Sequence, residues 1–346
     1  MLDETTGYIK LNRFAKQSLI EFTDAVSMLK AEGMQNLVFD LRGNSGGYLG
    51  TAMSITDEFL PADKLIVYTK GTHQPRQELN ATNKGEFETG KLVVLINEGS
   101  ASASEIVSGA IQDWDRGVLI GRRSFGKGLV QRPFKLPDES VVRLTVARYY
   151  TPSGRCIQKP YDDGVDEYYK DFMHRMEQGE TLHADSIHFP DSLKYITEAG
   201  RTVYGGGGVM SDIFIPLDTA RYNTTYSSLI RKGVVNGYVN EFLDNNRNSL
   251  NDEYSNLDDF TRRFKISDAE FSDFLVRAKE AKIEITEEEI APNKEFIKLQ
   301  LVALIARNLY KPADYFEVVA PLDHEINKAL EIINNDVKYK SLITSN

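Results

Sequence analysis

Three segments of this sequence carry residues that could do chemistry: DLRGNSGG at 40–47, NEGSASASEIVSG at 97–109 and GRRSFGKG at 121–128. In the first, Ser45 lies in G-x-S-x-G spacing between a predicted strand and a predicted helix, which is the context of a nucleophile elbow. In the second, small residues fill the step from a predicted strand to a helix start, whose N–H groups and positive dipole end can face a ligand. In the third, Lys127 is flanked by two glycines.

The sequence offers Ser45 no evident base. Because a serine hydroxyl is a weak nucleophile until a base removes its proton, an elbow at Ser45 requires a histidine. None of the five histidines stands in a recognisable active-site motif: His73, His174, His183, His188 and His324. An elbow at Ser45 is therefore not favoured over the simpler interpretations of DLRGNSGG.

Each of the three motifs also has a simpler interpretation. DLRGNSGG could be only a tight glycine turn, or its exposed N–H groups could bind an oxyanion. GRRSFGKG matches most of the phosphate-binding loop G-x-x-x-x-G-K-[ST], but position 128 is glycine and the following LVQRPFKL is not helical, so nucleotide binding is not favoured over a lysine in a surface turn. NEGSASASEIVSG could be an ordinary capped helix start with Glu105 in its first turn.

The elements around these motifs alternate between strands and helices. Apolar runs or alternation predict strands at 8–14, 36–41, 65–69, 91–97, 117–121 and 141–151, and a return strand within VMSDIFIPL. Helical spacing predicts helices at 17–33, at 49–59 and in the second half of the segment that follows residue 97. Such alternation predicts an α/β layer built from parallel crossovers.

Together the three motifs resemble those of the carboxy-terminal processing proteases, tail-specific serine peptidases that use a Ser-Lys dyad. DLRGNSGG, NEGSASASEI and SFGKGLVQ occur in the family order, and the resemblance covers about residues 5–219, including the return segment YGGGGVMSDIFIP. It implies an α/β protease core similar to the crotonase and Clp-protease fold. It also implies cleavage of proteins near their C-termini, through an acyl-enzyme and without a metal or organic cofactor.

The resemblance also assigns roles to residues. It implies Ser102 as nucleophile and Lys127, 25 residues later, as general base. A lysine works as a base only when burial disfavours its charged ammonium. Gln131 would be a third member, whose neutral amide oxygen could orient the lysine amine without restoring its charge. The oxyanion hole would comprise the N–H of Ala103 and one N–H of the glycine turn. The N–H of Gly46 is preferred for this role, and that of Gly47 is the alternative. Glu105 is either a supporting residue or a plain first-turn acid.

The chain is predicted to have two parts. Residues 1–221 would form the protease core, with an insertion at about 152–200 that contains a helix at 164–178, and residues 222–346 would form a helical region for packing or oligomerisation. Capping boxes at Ser267/Glu270 and Thr286/Glu289 precede predicted helices. Further helices are predicted at 296–309 and 319–334.

Composition excludes several classes of protein. The 346 residues are 41% hydrophobic with a net charge of −10, which argues against nucleic acid as the main partner. A single cysteine excludes an intrachain disulfide and a cysteine-clustered zinc site. No run is long enough to span a membrane, and no signal peptide is recognised, so an extracytoplasmic location is implied by the resemblance alone.

Family members normally carry a PDZ domain before this core, and no such domain is recognised here, so we expect weak selection of substrate C-termini. The predicted partners are protein or peptide substrates, with homo-oligomerisation through the helical region. Two alternatives stay open at this point. One is a non-catalytic peptide-binding or scaffold protein on the same fold, and the other is a histidine-dependent esterase that uses Ser45.

Overall fold

A computed structural model describes residues 1–82, 85–162, 164–218 and 224–344. The chain forms two compact units. The first comprises Met1–Pro216 together with His324–Asn346, and the second comprises Leu217–Asp323. The predicted domain boundary at 221–222 lies outside the described residues.

The first unit contains all the strands that the structure describes, together with helices at both ends of its sequence. The strands are β1 Thr6–Lys10, β2 Asn36–Asp40, β3 Leu65–Gly71, β4 Gln74–Asn80, β5 Leu92–Ile96, β6 Val118–Gly121, β7 Leu129–Lys135, β8 Val141–Tyr150, β9 Lys194–Ile196, β10 Thr202–Tyr204 and β11 Ile213–Phe214. The helices are α1 Ser18–Ala31, α2 Leu49–Asp57, α3 Ala103–Asp113 and α4 Val165–Glu177, followed after the second unit by α12 His324–Ile333 and α13 Asp336–Ile343.

A five-stranded parallel sheet in the order β1-β2-β5-β6-β11 forms the centre of this unit. The apolar runs that predict β2, β5 and β6 place these strands side by side. Carboxyl ends of neighbouring parallel strands meet at one edge of a sheet. The three sequence motifs, which follow β2, β5 and β6, therefore start from the same edge.

Both faces of this sheet are buried. Leu37, Phe39, Leu92 and Val94 share a core cluster with residues of α1, α2 and α3. Side chains alternate along a strand, so the buried Val38, Val93 and Leu95 face the other way, where α12 packs on β2, β5 and β6. The hydroxyl of Tyr339 on α13 accepts from the Leu92 N–H at 2.9 Å and donates to the Leu92 carbonyl at 3.1 Å.

The α/β core with a helical C-terminal region is confirmed, but not every strand joins the parallel layer. The predicted strands at 65–69 and 141–151 are β3 and β8, which belong to an antiparallel sheet in the order β4-β3-β8-β7. The expectation of parallel crossovers throughout is therefore wrong for these two. The sequence patterns did not predict β4 or β7, and the helix predicted at 164–178 is α4.

The second unit is helical and has its own core. Its helices are α5 Thr224–Arg231, α6 Val234–Glu253, α7 Leu257–Arg263, α8 Asp268–Glu280, α9 Glu287–Ile290, α10 Lys294–Leu309 and α11 Asp314–Val319. The core includes Tyr238, Phe260, Phe274 and Leu301. The predicted capping box of Ser267 and Glu270 is present at the start of α8.

The predicted helical region 222–346 is divided between the two units, since α12 and α13 pack with the parallel sheet. The helix predicted at 319–334 is correspondingly shorter. Val319 ends α11, a 3₁₀ turn follows at Ala320–Leu322, and α12 begins at His324. Pro321 within that turn cannot donate a helical hydrogen bond.

Candidate active site

The turn after β2 and the segment after β5 are bound together by hydrogen bonds. The Asn44 carbonyl accepts from the Ala101 N–H at 3.0 Å and from Ser104 Oγ at 2.7 Å. The buried Asn44 amide donates to the Leu11 carbonyl at 2.7 Å. Ser100 Oγ donates to the Leu41 carbonyl at 2.8 Å. The glycine turn is thereby fixed beside the start of α3.

Ser102 occupies the N-cap position of α3 in a backbone conformation that is unusual for a residue with a side chain. Its φ is 56° and its ψ is −109°. Such a conformation costs on the order of 1–3 kcal/mol and persists only when the surroundings enforce it. Strain of this kind at a strand-to-helix turn is typical of a nucleophile elbow. Ser102, after β5, therefore has the backbone strain that such a turn requires.

The glycine turn approaches Ser102 very closely at Gly46. A Cβ on Gly46 would lie 2.8 Å from the Ala101 carbonyl and 3.0 Å from both Ser102 Cβ and Ala103 N, and the φ of Gly46 is +101°. The Gly46 N–H donates to Asn44 Oδ1 at 2.9 Å. Gly46 therefore brings the turn against Ser102, but its N–H already has an acceptor within the turn.

Two other N–H groups at this place are not used internally. The N–H of Ala103 is the first of α3, and the N–H of Gly47 follows Gly46. Neither has a hydrogen-bond acceptor among the residues that the structure describes. Free N–H groups at a helix N-terminus and in a glycine turn can bind a negatively charged oxygen. Of the two glycines suggested by the sequence, Gly47 is the one with an available donor.

Glu105 connects the Ser102 backbone to the loop that carries Lys127. Its side chain is fully buried. Oε2 accepts from the N–H groups of Ser102 and Lys127, both at 2.8 Å. Oε1 accepts from Ser124 Oγ at 2.5 Å and from the Gly126 N–H at 2.7 Å. Burial raises the pKa of Glu105 against the lowering effect of these four hydrogen bonds.

The other two predicted catalytic residues lie on and after this loop. Lys127 is half-buried between Gly126 and Gly128, and Gly126 has a φ of +88°. Gln131 is exposed on β7 opposite Thr145, next to a register shift between Val130 and Gln131. No hydrogen bond joins Gln131 to Lys127 in the described part of the chain. Its proposed orienting role stays a prediction.

A buried ion-pair network lies at the end of β2, where the glycine turn begins. Asp40 accepts from Arg42 Nη2 at 2.7 Å, from Lys10 at 3.2 Å and from the Tyr8 hydroxyl at 2.6 Å. Burial alone would raise the pKa of Asp40, but Arg42, Lys10 and Tyr8 lower it to about 2. Glu325 of α12 pairs with Arg42 at 3.3 Å and with Arg122, after β6, at 3.1 Å.

The rival candidates do not assemble a site. Ser45 is exposed on the glycine turn and makes no hydrogen bond to a histidine within the described residues. The GRRSFGKG segment continues into β7, so no helix N-terminus faces a phosphate there.

Three residues of the site were not predicted from the sequence. Asn44 stands inside DLRGNSGG, and its position in a glycine turn was the only available signal. Ser124 is buried against Glu105. Arg175 lies in the predicted insertion and donates to loop carbonyls, a contact that no local pattern indicates.

Family models match two segments of the chain. Residues 5–169 match the family described as Peptidase family S41. Residues 5–169 form an S41 peptidase domain. Residues 225–311 match a family of unknown function, DUF8443. The S41 match contains the three motif segments, and the serine peptidase resemblance stated from the sequence is confirmed.

Relatives of the S41 domain carry processing-protease names. A carboxyl-terminal-processing protease of Synechocystis sp. is 40% identical over 157 residues, which are 45% of this chain and 36% of that protein. A carboxy-terminal-processing protease of Bartonella bacilliformis is 43% identical over 157 residues, 44% of this chain and 36% of that protein. The chain thus matches about a third of each relative's length.

Among solved structures, a photosystem II D1 C-terminal processing protease is 36% identical with a TM-score of 0.42, covering 44% of this chain and 39% of that one.

No helix within the described ranges has both the length and the apolar composition needed to cross a membrane.

Proposed function

We propose that this chain is a serine endopeptidase that cleaves proteins near their C-termini, with Ser102 as nucleophile and Lys127 as general base. The observation that carries the proposal is the strained N-cap position of Ser102 beside two N–H groups without an acceptor, those of Ala103 and Gly47. Glu105 links this nucleophile to the lysine loop. The names of the relatives support the substrate class.

The proposed reaction uses these groups in two stages. Ser102 Oγ attacks the carbonyl carbon of a peptide bond while the neutral amine of Lys127 takes the hydroxyl proton. The N–H groups of Ala103 and Gly47 bind the oxyanion that forms. Lys127 then gives the proton to the leaving amine as the C–N bond breaks, which leaves an ester on Ser102. Water activated by the same lysine hydrolyses that ester.

Three single variants test the assignment on a fluorogenic peptide and on unfolded proteins, with products identified by mass spectrometry. We expect Ser102→Ala and Lys127→Ala each to lower kcat by at least about 10³-fold, because the nucleophile and its base act as a unit. Ser45→Ala is the matched control and should keep most of the activity, since Ser45 is exposed and makes no hydrogen bond to either residue in the described part of the chain.

Two results would contradict the proposal. Equal losses in Ser45→Ala and Ser102→Ala would favour the elbow after β2. Binding of peptides without any turnover would support a non-catalytic peptide-binding protein on this fold. The extracytoplasmic location and an oligomer formed through the helical region remain predictions, which fractionation of cells and light scattering of the purified chain would test.

A further inference from the structure

The N–H groups of the loop 123–128, which carries Lys127, donate to oxygens of Val209, Ser100 and Glu105. The Ser124 N–H donates to the Val209 carbonyl and the Phe125 N–H to the Ser100 carbonyl, both at 3.0 Å. The N–H groups of Gly126 and Lys127 donate to Glu105 at 2.7 and 2.8 Å. Four consecutive donors are therefore fixed, two of them by Glu105, which also accepts from the Ser102 N–H.

The carbonyl side of the same loop is held by a different part of the chain. Arg175 of α4 donates through Nη2 to the Arg123 carbonyl at 3.0 Å and through Nη1 to the Ser124 carbonyl at 3.1 Å. The Lys159 N–H donates to the Gly126 carbonyl at 3.0 Å. Arg175 lies beyond residue 169, where the family match ends.

The Arg175 guanidinium is itself held in place. Its side chain is 6% exposed, and its Nε donates to Glu180 Oε1 at 2.8 Å. Glu180 also accepts two hydrogen bonds from Arg123, each at 2.6 Å. A guanidinium has a rigid planar set of donors, so fixing one edge on Glu180 directs the two remaining nitrogens at the loop.

A second contact fastens α4 to the loop through side chains. Lys159 Nζ lies 4.1 Å from the centre of the Phe125 ring and 4.3 Å from that of Tyr168 on α4. The same ammonium pairs with Asp171 of α4 at 3.0 Å. Cation–π contacts and an ion pair whose lysine side chain is buried together favour one placement of α4.

We propose that Arg175 is a positioning residue for the peptidase reaction, which acts through the carbonyls of Arg123 and Ser124 to place Lys127 beside Ser102. Helix α4 then takes part in positioning the base, because it supplies the donors to two carbonyls of the loop, those of Arg123 and Ser124. This inference rests on the proposed function of Ser102 and Lys127.

The test is pre-steady-state acylation by the p-nitrophenyl ester of an acetylated dipeptide, measured on the full chain. The burst amplitude counts folded sites, and the burst rate constant reports how well the base is placed. We expect Arg175→Gln to lower the rate constant by about 10²-fold, since misplacement by 1 Å costs that much. Arg175→Lys keeps a positive charge beside Glu180 but cannot donate to both loop carbonyls from a planar guanidinium. We therefore expect it to lower the burst rate constant by about 10-fold.

Arg201→Gln is the matched control. Arg201 donates to the Gln112 carbonyl and pairs with Asp115 and Asp212, so it is bound like Arg175 but contacts none of residues 123–128. We expect this variant to lose stability and burst amplitude while its burst rate constant stays that of the wild type.

The outcomes separate the inference from the proposed function. No burst in the wild type, or a burst that survives Ser102→Ala, would remove the proposed function itself. A wild-type burst with an unchanged rate constant in Arg175→Lys would overturn the positioning role alone. Unfolding of both Arg175 variants, with Arg201→Gln folded, would also overturn it, by showing that the arginine serves the stability of the fold.

Discussion

The Glu105→Gln substitution replaces one buried oxygen by an NH₂ group and keeps the shape of the side chain. In the wild type the two oxygens accept four hydrogen bonds, from Ser102, Ser124, Gly126 and Lys127. The best arrangement for an amide keeps its oxygen on the N–H groups of Ser102 and Lys127 and turns the NH₂ group toward Ser124, whose hydroxyl can accept. The Gly126 N–H then faces a donor.

The magnitude follows from these contacts. A buried N–H without an acceptor costs about 1–3 kcal/mol, and each of the two retained bonds loses about 1 kcal/mol when its acceptor becomes neutral. Burying a neutral amide instead of a carboxylate, whose pKa burial raises, offsets part of this loss. We expect unfolding to be easier by about 2–4 kcal/mol and kcat to fall by about 10²-fold as the loop shifts.

Urea unfolding followed by circular dichroism and peptide hydrolysis at the same pH measure both effects. Glu270→Gln is the matched control, because Glu270 occupies the same capping-box position at the start of α8 in an exposed setting. It should cost less than about 1 kcal/mol and leave kcat unchanged. A Glu105→Gln protein with wild-type stability and wild-type kcat would refute the view that this carboxylate joins the nucleophile to the lysine loop.

Four further outcomes are expected. The pKa of Asp40 is lowered from 3.8 to about 2, so its carboxylate stabilises the folded state fully above about pH 4. About 2 kcal/mol of the free energy of unfolding should be lost on acidification to about pH 2. Acid unfolding of Asp40→Asn should lack this loss. Gly46→Ala should abolish most activity by displacing the turn from Ser102, as steady-state kinetics would show, whereas retained kcat would contradict the close packing. Tyr339→Phe leaves the N–H and carbonyl of Leu92 without this partner and should cost about 2–4 kcal/mol in urea unfolding. Removal of divalent metal by a chelator should leave the hydrolysis rate unchanged, and a loss that zinc or magnesium restores would refute the metal-free mechanism.

The sequence predicts the central strands well because they are buried on both faces. NLVFDL, KLVVLIN and GVLIG are near-continuous apolar runs, as parallel strands require. By contrast, β4 has the sequence QPRQELN and is mostly exposed, and β7 contains Pro133 and is mostly exposed. Neither has an apolar face that a pattern could detect. The short α13 buries Tyr339 but little else.

The site was predicted less completely because its details depend on contacts between distant segments. The strand order that brings the three motifs together was not predicted, since spacing alone cannot show that β2, β5 and β6 are neighbours. The choice between Gly46 and Gly47 depends on one hydrogen bond to Asn44 Oδ1. The contact of Arg175 with the lysine loop joins residues about fifty positions apart in sequence.

The chain path of the first unit has a consequence for biosynthesis. Its last two helices, α12 and α13, cover one face of the parallel sheet, yet the whole helical unit Leu217–Asp323 is translated before them. A nascent chain therefore carries Val38, Val93 and Leu95 on an uncovered face while more than a hundred further residues leave the ribosome. Exposed apolar strands of this kind are prone to aggregate, so we expect this face to be at risk of aggregation until α12 has been synthesised. Glu325 can join Arg42 and Arg122 only after the whole helical unit has been translated.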